Sequence, residues 1–320
     1  MHIEVSAPAR LHLGDIDPFG VGRFGYAPIL AINKPRTIVE AEEAETLNVE
    51  GPYAEEGSLY AKRVLETYGL RGARVVLRSL APRHCGFGST TQLCLAIGKA
   101  ITTAYHLNPT LQELVKILKH TTRGGIYAFQ LGGFIIAGGT KAEVERRSGY
   151  SEIPIPPMLL HHEFPDEWRF VVARPVTAPS GLNGEKEEGV FINLSKRKPP
   201  VRLIQKGYFL LASKLLPALI ERDAEAFGKA LTDIQINTGR VYLPVQGGLF
   251  NPSSQWLIRM LKQSGALGIG QSSWGPTVYA FIDSPDTAQK LADNVLRQTG
   301  KKASVEVVAA DNKGAVVRTV

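Results

Sequence analysis

The sequence predicts a two-domain protein of the α/β or α+β class, and three observations carry that expectation. Segments with the two-residue period of strands alternate with segments of helical period in both halves of the chain, without internal repeats. A proline-rich connection, Ile153-Pro154-Ile155-Pro156-Pro157, interrupts the middle. The length, 320 residues, suits two domains of ordinary size better than one.

The first residues alternate, with Ile3, Val5 and Ala7 apolar against His2, Glu4 and Ser6, as in a half-buried strand. Strands are expected at residues 36–45 and 73–79, with a helix at 58–68 between them that carries Leu59, Val64 and Leu65 on one side. From residue 91 to 105, Leu93, Ile97, Ala100, Ile101 and Ala104 recur at helical spacing. Asn108-Pro109-Thr110 opens a further helix at 111–120, with Thr110 as its N-cap. The domain boundary falls near residue 160, giving domains 1–160 and 161–320. Beyond it come a strand at 170–173, helices at 205–222, 224–233 and 252–263, and strands at 277–283 and 304–309 around a helix at 285–299. Residues 315–318 read as a last strand. Strand–helix–strand order with few parallel crossovers suggests a ferredoxin-like second domain.

Composition narrows the function classes. At 44% hydrophobic and 21% charged, the chain is not disordered, collagen-like or a coiled coil. The net charge of +7 is diffuse, and the tightest basic run, Lys196-Arg197-Lys198, ends in Pro199-Pro200, so no nucleic-acid partner is expected. Cys85 and Cys94 form no metal motif and fit a reducing compartment. The polar N-terminus is unlike a signal peptide, and no uninterrupted apolar run approaches the ~20 residues of a membrane span. A cytoplasmic protein with no membrane partner is the expectation.

Three loops carry the chemistry. In His84-Cys85-Gly86-Phe87-Gly88-Ser89-Thr90-Thr91-Gln92, glycines directly before a helix let backbone N–H groups approach an anion, and the serine and threonines add hydroxyl donors and N-caps. It is neither a Walker A loop nor GxGxxG. Gly268-Ile269-Gly270-Gln271-Ser272-Ser273-Trp274-Gly275-Pro276 reads as a ligand-presenting loop between a helix and a strand, with Trp274 available to stack on a flat ring. Pro8-Ala9-Arg10-Leu11-His12-Leu13-Gly14-Asp15-Ile16-Asp17 packs a cation, a histidine and two acids at the end of the first strand.

In this order and spacing the three loops resemble the motifs of the superfamily of galactokinase, homoserine kinase, mevalonate kinase and phosphomevalonate kinase. The resemblance implies an α+β fold: an N-terminal ribosomal-protein-S5-domain-2-like domain and a C-terminal ferredoxin-like domain. Kinases of that superfamily generally place an acid a few residues before a Gly-Gly pair. Here residues 114–142 contain no Asp or Glu at all. Tyr127-Ala128-Phe129-x-x-Gly132-Gly133-Phe134, Phe164-Pro165-Asp166-x-Trp168-Arg169, Gly181-Leu182-x-Gly184-Glu185 and the Gly270–Thr277 string are instead similar to the β-ribofuranosylaminobenzene 5′-phosphate synthase family. Arg123-Gly124-Gly125 runs into Ile126-Tyr127 a few residues sooner than in that family.

The resemblance implies transfer of a phosphoribosyl group from phosphoribosyl pyrophosphate to 4-hydroxybenzoate or 4-aminobenzoate, with loss of pyrophosphate and carbon dioxide. It belongs to tetrahydromethanopterin biosynthesis and requires no ATP. An ATP-dependent small-molecule kinase is the alternative. Within the synthase reading, Gly86, Gly88, Ser89, Thr90 and Gln92 seat a phosphate, and Arg10 and Arg123 supply charge. Gln271, Ser272 and Ser273 add neutral donors, and His12 bridges to the acceptor's carboxylate or para substituent. Phe87, Tyr127 and Trp274 form the aromatic slot, and Asp17 or Glu185 holds Mg²⁺. A homodimer is expected.

Overall fold

A computed structural model describes residues 1–120, 124–141, 154–177, 189–190, 193–194 and 196–320. The chain opens with β1 (Ile3–His12), whose apolar alternation buries Ile3, Val5 and Ala7. β2 (Phe24–Ala44) is a 21-residue strand, far longer than the segment its periodicity announces, and it organises the first sheet. Its second half pairs with β4 (Gly72–Ser79), and its first half with β5 (Phe134–Thr140). β1 runs antiparallel along both halves, with a register shift between Pro8 and Ala9. β3 (Asn48–Glu50) lies parallel to β4 at one edge, and β6 (Met158–His162) pairs with β5 at another.

Among the described residues, α1 (Ala54–Tyr68), α2 (Ser89–Ala104) and α4 (Gly125–Leu131) pack on this sheet, and α3 (Leu111–Leu118) packs on α1 and α2. α2 lies against β1 and β2 and is buried almost all round, which explains why its sequence shows little polar face. Thr110 caps α3 as expected: it accepts from Glu113 N while Glu113 reaches back to Thr110 N, a full capping box.

The second sheet is antiparallel, with order β10–β7–β9–β8, where β7 is Arg169–Pro175, β8 Gly268–Gln271, β9 Val278–Ile282 and β10 Ala303–Val308. In chain order these are the fourth, first, third and second strands, the ferredoxin-like arrangement. Helical segments α5 (Val201–Leu210), a π-helical turn (Leu211–Leu215) and α6 (Leu216–Ile220) run on into one rod. α7 (Ala224–Gln246) and α8 (Gln255–Gln263) follow, and α9 (Pro285–Thr299) joins β9 to β10. By length and composition the rod Val201–Ile220 would pass as a membrane span. Arg202, Lys206 and Lys214 interrupt it, and Leu210, Leu211, Leu215 and Leu219 are buried in the core beneath α7.

The last strand, β11 (Val316–Thr319), returns to pair with β1 in the first sheet. Arg36 fastens it by pairing with Asp311 and donating to Ser6 Oγ and the Ser6 carbonyl, both at 2.7 Å. The central core, running from Leu11 and Phe134 through Phe170 to Phe227 and Phe281, draws on both sheets.

Candidate active site

A cavity of about 630 Å³ opens where the end of β1, the glycine loop, α7 and the loop after β8 meet. Gly86 explains the closeness of that meeting. Its φ is +94°, and a Cβ there would stand 2.2 Å from the Ser272 carbonyl oxygen, so only glycine fits. The Ser272 hydroxyl donates to the Gly86 carbonyl (2.6 Å) and accepts from His12 N (2.9 Å). Arg10 Nη1 donates to the same Gly86 carbonyl (2.5 Å), and Arg10 N to the Phe87 carbonyl (3.0 Å). Three segments far apart in sequence are thereby tied at one carbonyl.

Gly88, at φ +73°, is the N-cap of α2, and no side chain caps this end. The hydroxyls of residues 89–91 therefore do not cap the helix, contrary to the sequence expectation. The first-turn N–H groups of Ser89, Thr90 and Thr91 lack helical acceptors by construction, and these residues line the cavity. Together with the helix dipole they favour an anion.

One end of the cavity is aromatic. Trp274 meets the Tyr242 ring edge-on, centroids 4.7 Å apart at 74°, with Leu249 and Phe250 also lining this end. The Tyr242 hydroxyl donates to Asp15 Oδ2 (2.7 Å). Gln271 Nε2 donates to Gln246 Oε1 (3.0 Å) and the Ser273 carbonyl (2.8 Å), while Asn251 Nδ2 holds the Trp274 carbonyl (2.9 Å). Gln271 and Ser272 thus hold the loop together with the groups that were expected to face a ligand.

The other end is cationic and comes from α1, the residues before the glycine loop, and the end of α3. The Arg83 side chain is 7% exposed and pairs with Glu56 through Nη2, while Nε and Nη1 have no partner among the described residues. Tyr60 donates to the second Glu56 oxygen (3.1 Å). Lys119, held at φ +46° at the α3 C-cap, lines the same wall. His120 Nε2 lies 3.0 Å from Thr91 Oγ1, and burial pushes its pKa down to about 4, so it is neutral near pH 7. Burial, then Arg83, also lowers the pKa of His84.

Of the expected site residues, Arg10, His12, Gly86, Gly88, Ser89, Thr90, Gln271, Ser273 and Trp274 line the cavity. Phe87 does not; it is buried in the central core. Gln92 is buried and ties α2 to the Gly125 carbonyl (3.1 Å). Tyr127 donates to the Pro156 carbonyl (2.6 Å) beneath the sheet. Asp17 does not fit the Mg²⁺ role: it is fully buried, and its carboxylate accepts from Val21 N (3.0 Å), Gly22 N (2.7 Å) and Arg23 N (3.0 Å). It shapes its own loop instead. Arg123 and Glu185 lie outside the described residues. Among the described residues no group of three or more His, Cys, Asp or Glu side chains is placed to hold a metal. Sequence reading missed Glu56, Arg83, Lys119 and Tyr242; only Arg83, three residues before Gly86, stood near a recognised signal.

The fold and site define the class. Residues 57–133 match the family model for the N-terminal domain of GHMP kinases, and residues 215–302 match that for GHMP kinases C terminal. A homoserine kinase from Cytophaga hutchinsonii superposes with a TM-score of 0.69 over 99% of this chain and 97% of that one, at 18% identity. A mevalonate kinase from L. major gives 0.72 over 97% and 96%, at 16% identity. Those likenesses establish the fold alone.

Sequence relatives go further. The β-ribofuranosylphenol 5′-phosphate synthase of Methanothermobacter thermautotrophicus is 31% identical over 297 residues, 87% of this chain and 88% of that protein. The synthase of the same name from Archaeoglobus fulgidus is 31% identical over 324 residues, 98% of each. The chain belongs to the β-ribofuranosylphenol 5′-phosphate synthase family, an enzyme family on the GHMP kinase fold.

Proposed function

We propose that the protein transfers a phosphoribosyl group from phosphoribosyl pyrophosphate to 4-hydroxybenzoate, releasing pyrophosphate and carbon dioxide. The observation that carries this reading is the two-ended cavity: an uncapped helix N-terminus and cations at one side, a Trp274–Tyr242 slot at the other. The relatives' name, a ribofuranosylphenol phosphate, favours the hydroxyl over the amino acceptor. Among the described residues the carboxylates lining the cavity are Asp15, whose Oδ2 accepts from Tyr242, and Glu56, which takes Arg83 and Tyr60. Neither lies within residues 114–142, the stretch that carries no acid before its Gly-Gly pairs.

The reaction balances without an added electron sink. The C1–oxygen bond to pyrophosphate breaks as the ring carbon bearing the carboxylate attacks C1, pushed by the para oxygen as its proton leaves. The carbon–carboxylate bond then breaks, its electron pair restores the aromatic ring, and the phenol regains a proton. The chain's part is to position two substrates and stabilise charge. The α2 N-terminus and Arg10 hold phosphate oxygens, Trp274 and Tyr242 hold the ring, and His12 takes and returns the phenolic proton. Asp17 is already fully hydrogen-bonded, so no step is assigned to a residue-held Mg²⁺.

The test is direct. With phosphoribosyl pyrophosphate and carboxyl-labelled 4-hydroxybenzoate, labelled carbon dioxide should appear only when both are present, with no need for ATP. No release, with ADP formed from ATP and an alcohol substrate, would establish the kinase instead.

A further inference from the structure

We infer that Arg83 is the centre of a second anion seat, which takes a phosphate-class group apart from the one at the α2 N-terminus. This deepens the synthase reading, whose donor carries a 5′-phosphate and a pyrophosphate. The argument starts from the hydrogen bonds of a buried cation. A guanidinium presents five N–H donors, and burying any of them without an acceptor carries a desolvation penalty. The Arg83 side chain is 7% exposed, yet among the described residues only Nη2 has an acceptor, Glu56 Oε2. The fork–fork geometry of a purely structural arginine–carboxylate pair is absent, because the second Glu56 oxygen takes the Tyr60 hydroxyl. Nε and Nη1 are left without partners on a residue that lines the cavity wall.

The surroundings select charge. Arg83 and Lys119 against Glu56 leave one net positive charge on this wall. The Tyr53 ring centroid lies 5.4 Å from the guanidinium carbon, a cation–π contact. Arg83 stands three residues before Gly86, and His120 contacts Thr91 in the first turn of α2, so this wall and the glycine loop share a border. Nε and Nη1 face opposite edges of the guanidinium, so an oxyanion in the cavity accepts from Nη1 on its own edge, the charged contact that a phosphate oxygen offers.

The experiment is calorimetric titration of the full chain with inorganic pyrophosphate and, separately, with ribose 5-phosphate. Arg83→Ala should weaken one of the two by about tenfold or more, and Arg83→Lys should recover part of that loss. The probe whose affinity falls identifies the occupant. Both affinities staying within about twofold of wild type, whatever happens to the melting temperature, would overturn the seat and leave Arg83 a structural residue. Should Arg83→Ala fail to fold, Glu56→Gln decides: removing the competing carboxylate should tighten the same probe by about threefold, and unchanged binding overturns the proposal. Neither titration depends on turnover. Carbon dioxide release with a donor KM unaffected by Arg83→Lys and Arg83→Ala would retain the synthase and refute the seat. Arg83-dependent anion binding without turnover would do the reverse.

Discussion

The two ends of the cavity are built on opposite principles. At the aromatic end Gln271, Asn251 and Tyr242 bond within the protein, to Gln246, the Ser273 and Trp274 carbonyls, and Asp15 Oδ2. What remains for a ligand is the shape of an apolar slot. At the cationic end a buried guanidinium keeps two nitrogens without acceptors, and the ligand is chosen by charge and hydrogen bonding. Ser272, bonded to both Gly86 and His12, joins the loop of one end to the strand of the other. The aromatic end offers a ligand apolar shape, and the cationic end offers charge and hydrogen-bond donors.

Four changes sharpen that contrast, in falling order of expected effect. Trp274→Ala removes a nearly buried ring that also packs on Tyr242 and Leu194, and should cost about 3–5 kcal/mol in denaturant unfolding. In calorimetry its affinity for 4-hydroxybenzoate should fall while that for pyrophosphate stays within about twofold. Next is pH. An unfolded histidine binds a proton below about pH 6.5. His120 stays neutral in the fold down to about 4, under burial that outweighs the opposing pull of Glu56 and acts with Arg83 and Arg63. The depressed pKa means that stability is lost as pH falls from about 6.5 to about 4, by on the order of 3 kcal/mol at most. Chemical unfolding at both limits should show His120→Gln losing less than wild type.

Ser272→Ala, at the junction, deprives His12 N of its acceptor and Gly86 of one donor, and should cost about 2 kcal/mol. An equal loss of affinity for pyrophosphate and 4-hydroxybenzoate in that variant would fit its place between the ends. Tyr242→Phe keeps the ring but removes the hydrogen bond to Asp15, and about 1 kcal/mol should be lost with little change in pyrophosphate binding. A large effect on pyrophosphate from any change at the aromatic end would break the comparison.

The same contrast explains what could be read from the sequence. The glycine loop and α2 were legible because glycines before an apolar helix have few other uses, and α9 and β4 because their periods are clean. The glycines of β8 suggest a loop. In fact Gly270 is a strand residue whose missing side chain makes room for the Tyr279 ring, which a Cβ would approach to 2.5 Å. β5 was missed because all seven residues are buried, so no alternation marks it. The second half of α7, with Asn237, Gly239 and Pro244, has poor helix formers, and Tyr242 went unseen with it. The two acids after β1 could not be told apart by pattern: Asp15 lines the cavity, whereas Asp17 folds under its own loop. Arg83 was invisible as a functional group because its significance lies in the hydrogen bonds it does not make.

The measurement that tests the account most directly is a crossed pair of titrations: Arg83→Ala and Trp274→Ala, each against 4-hydroxybenzoate and against pyrophosphate and ribose 5-phosphate. The two-ended cavity predicts that Arg83→Ala spares 4-hydroxybenzoate and weakens pyrophosphate, or ribose 5-phosphate where that is the occupant, and that Trp274→Ala weakens 4-hydroxybenzoate alone, each by about tenfold or more. Both variants weakening both kinds of ligand alike, or neither variant weakening either, would contradict it.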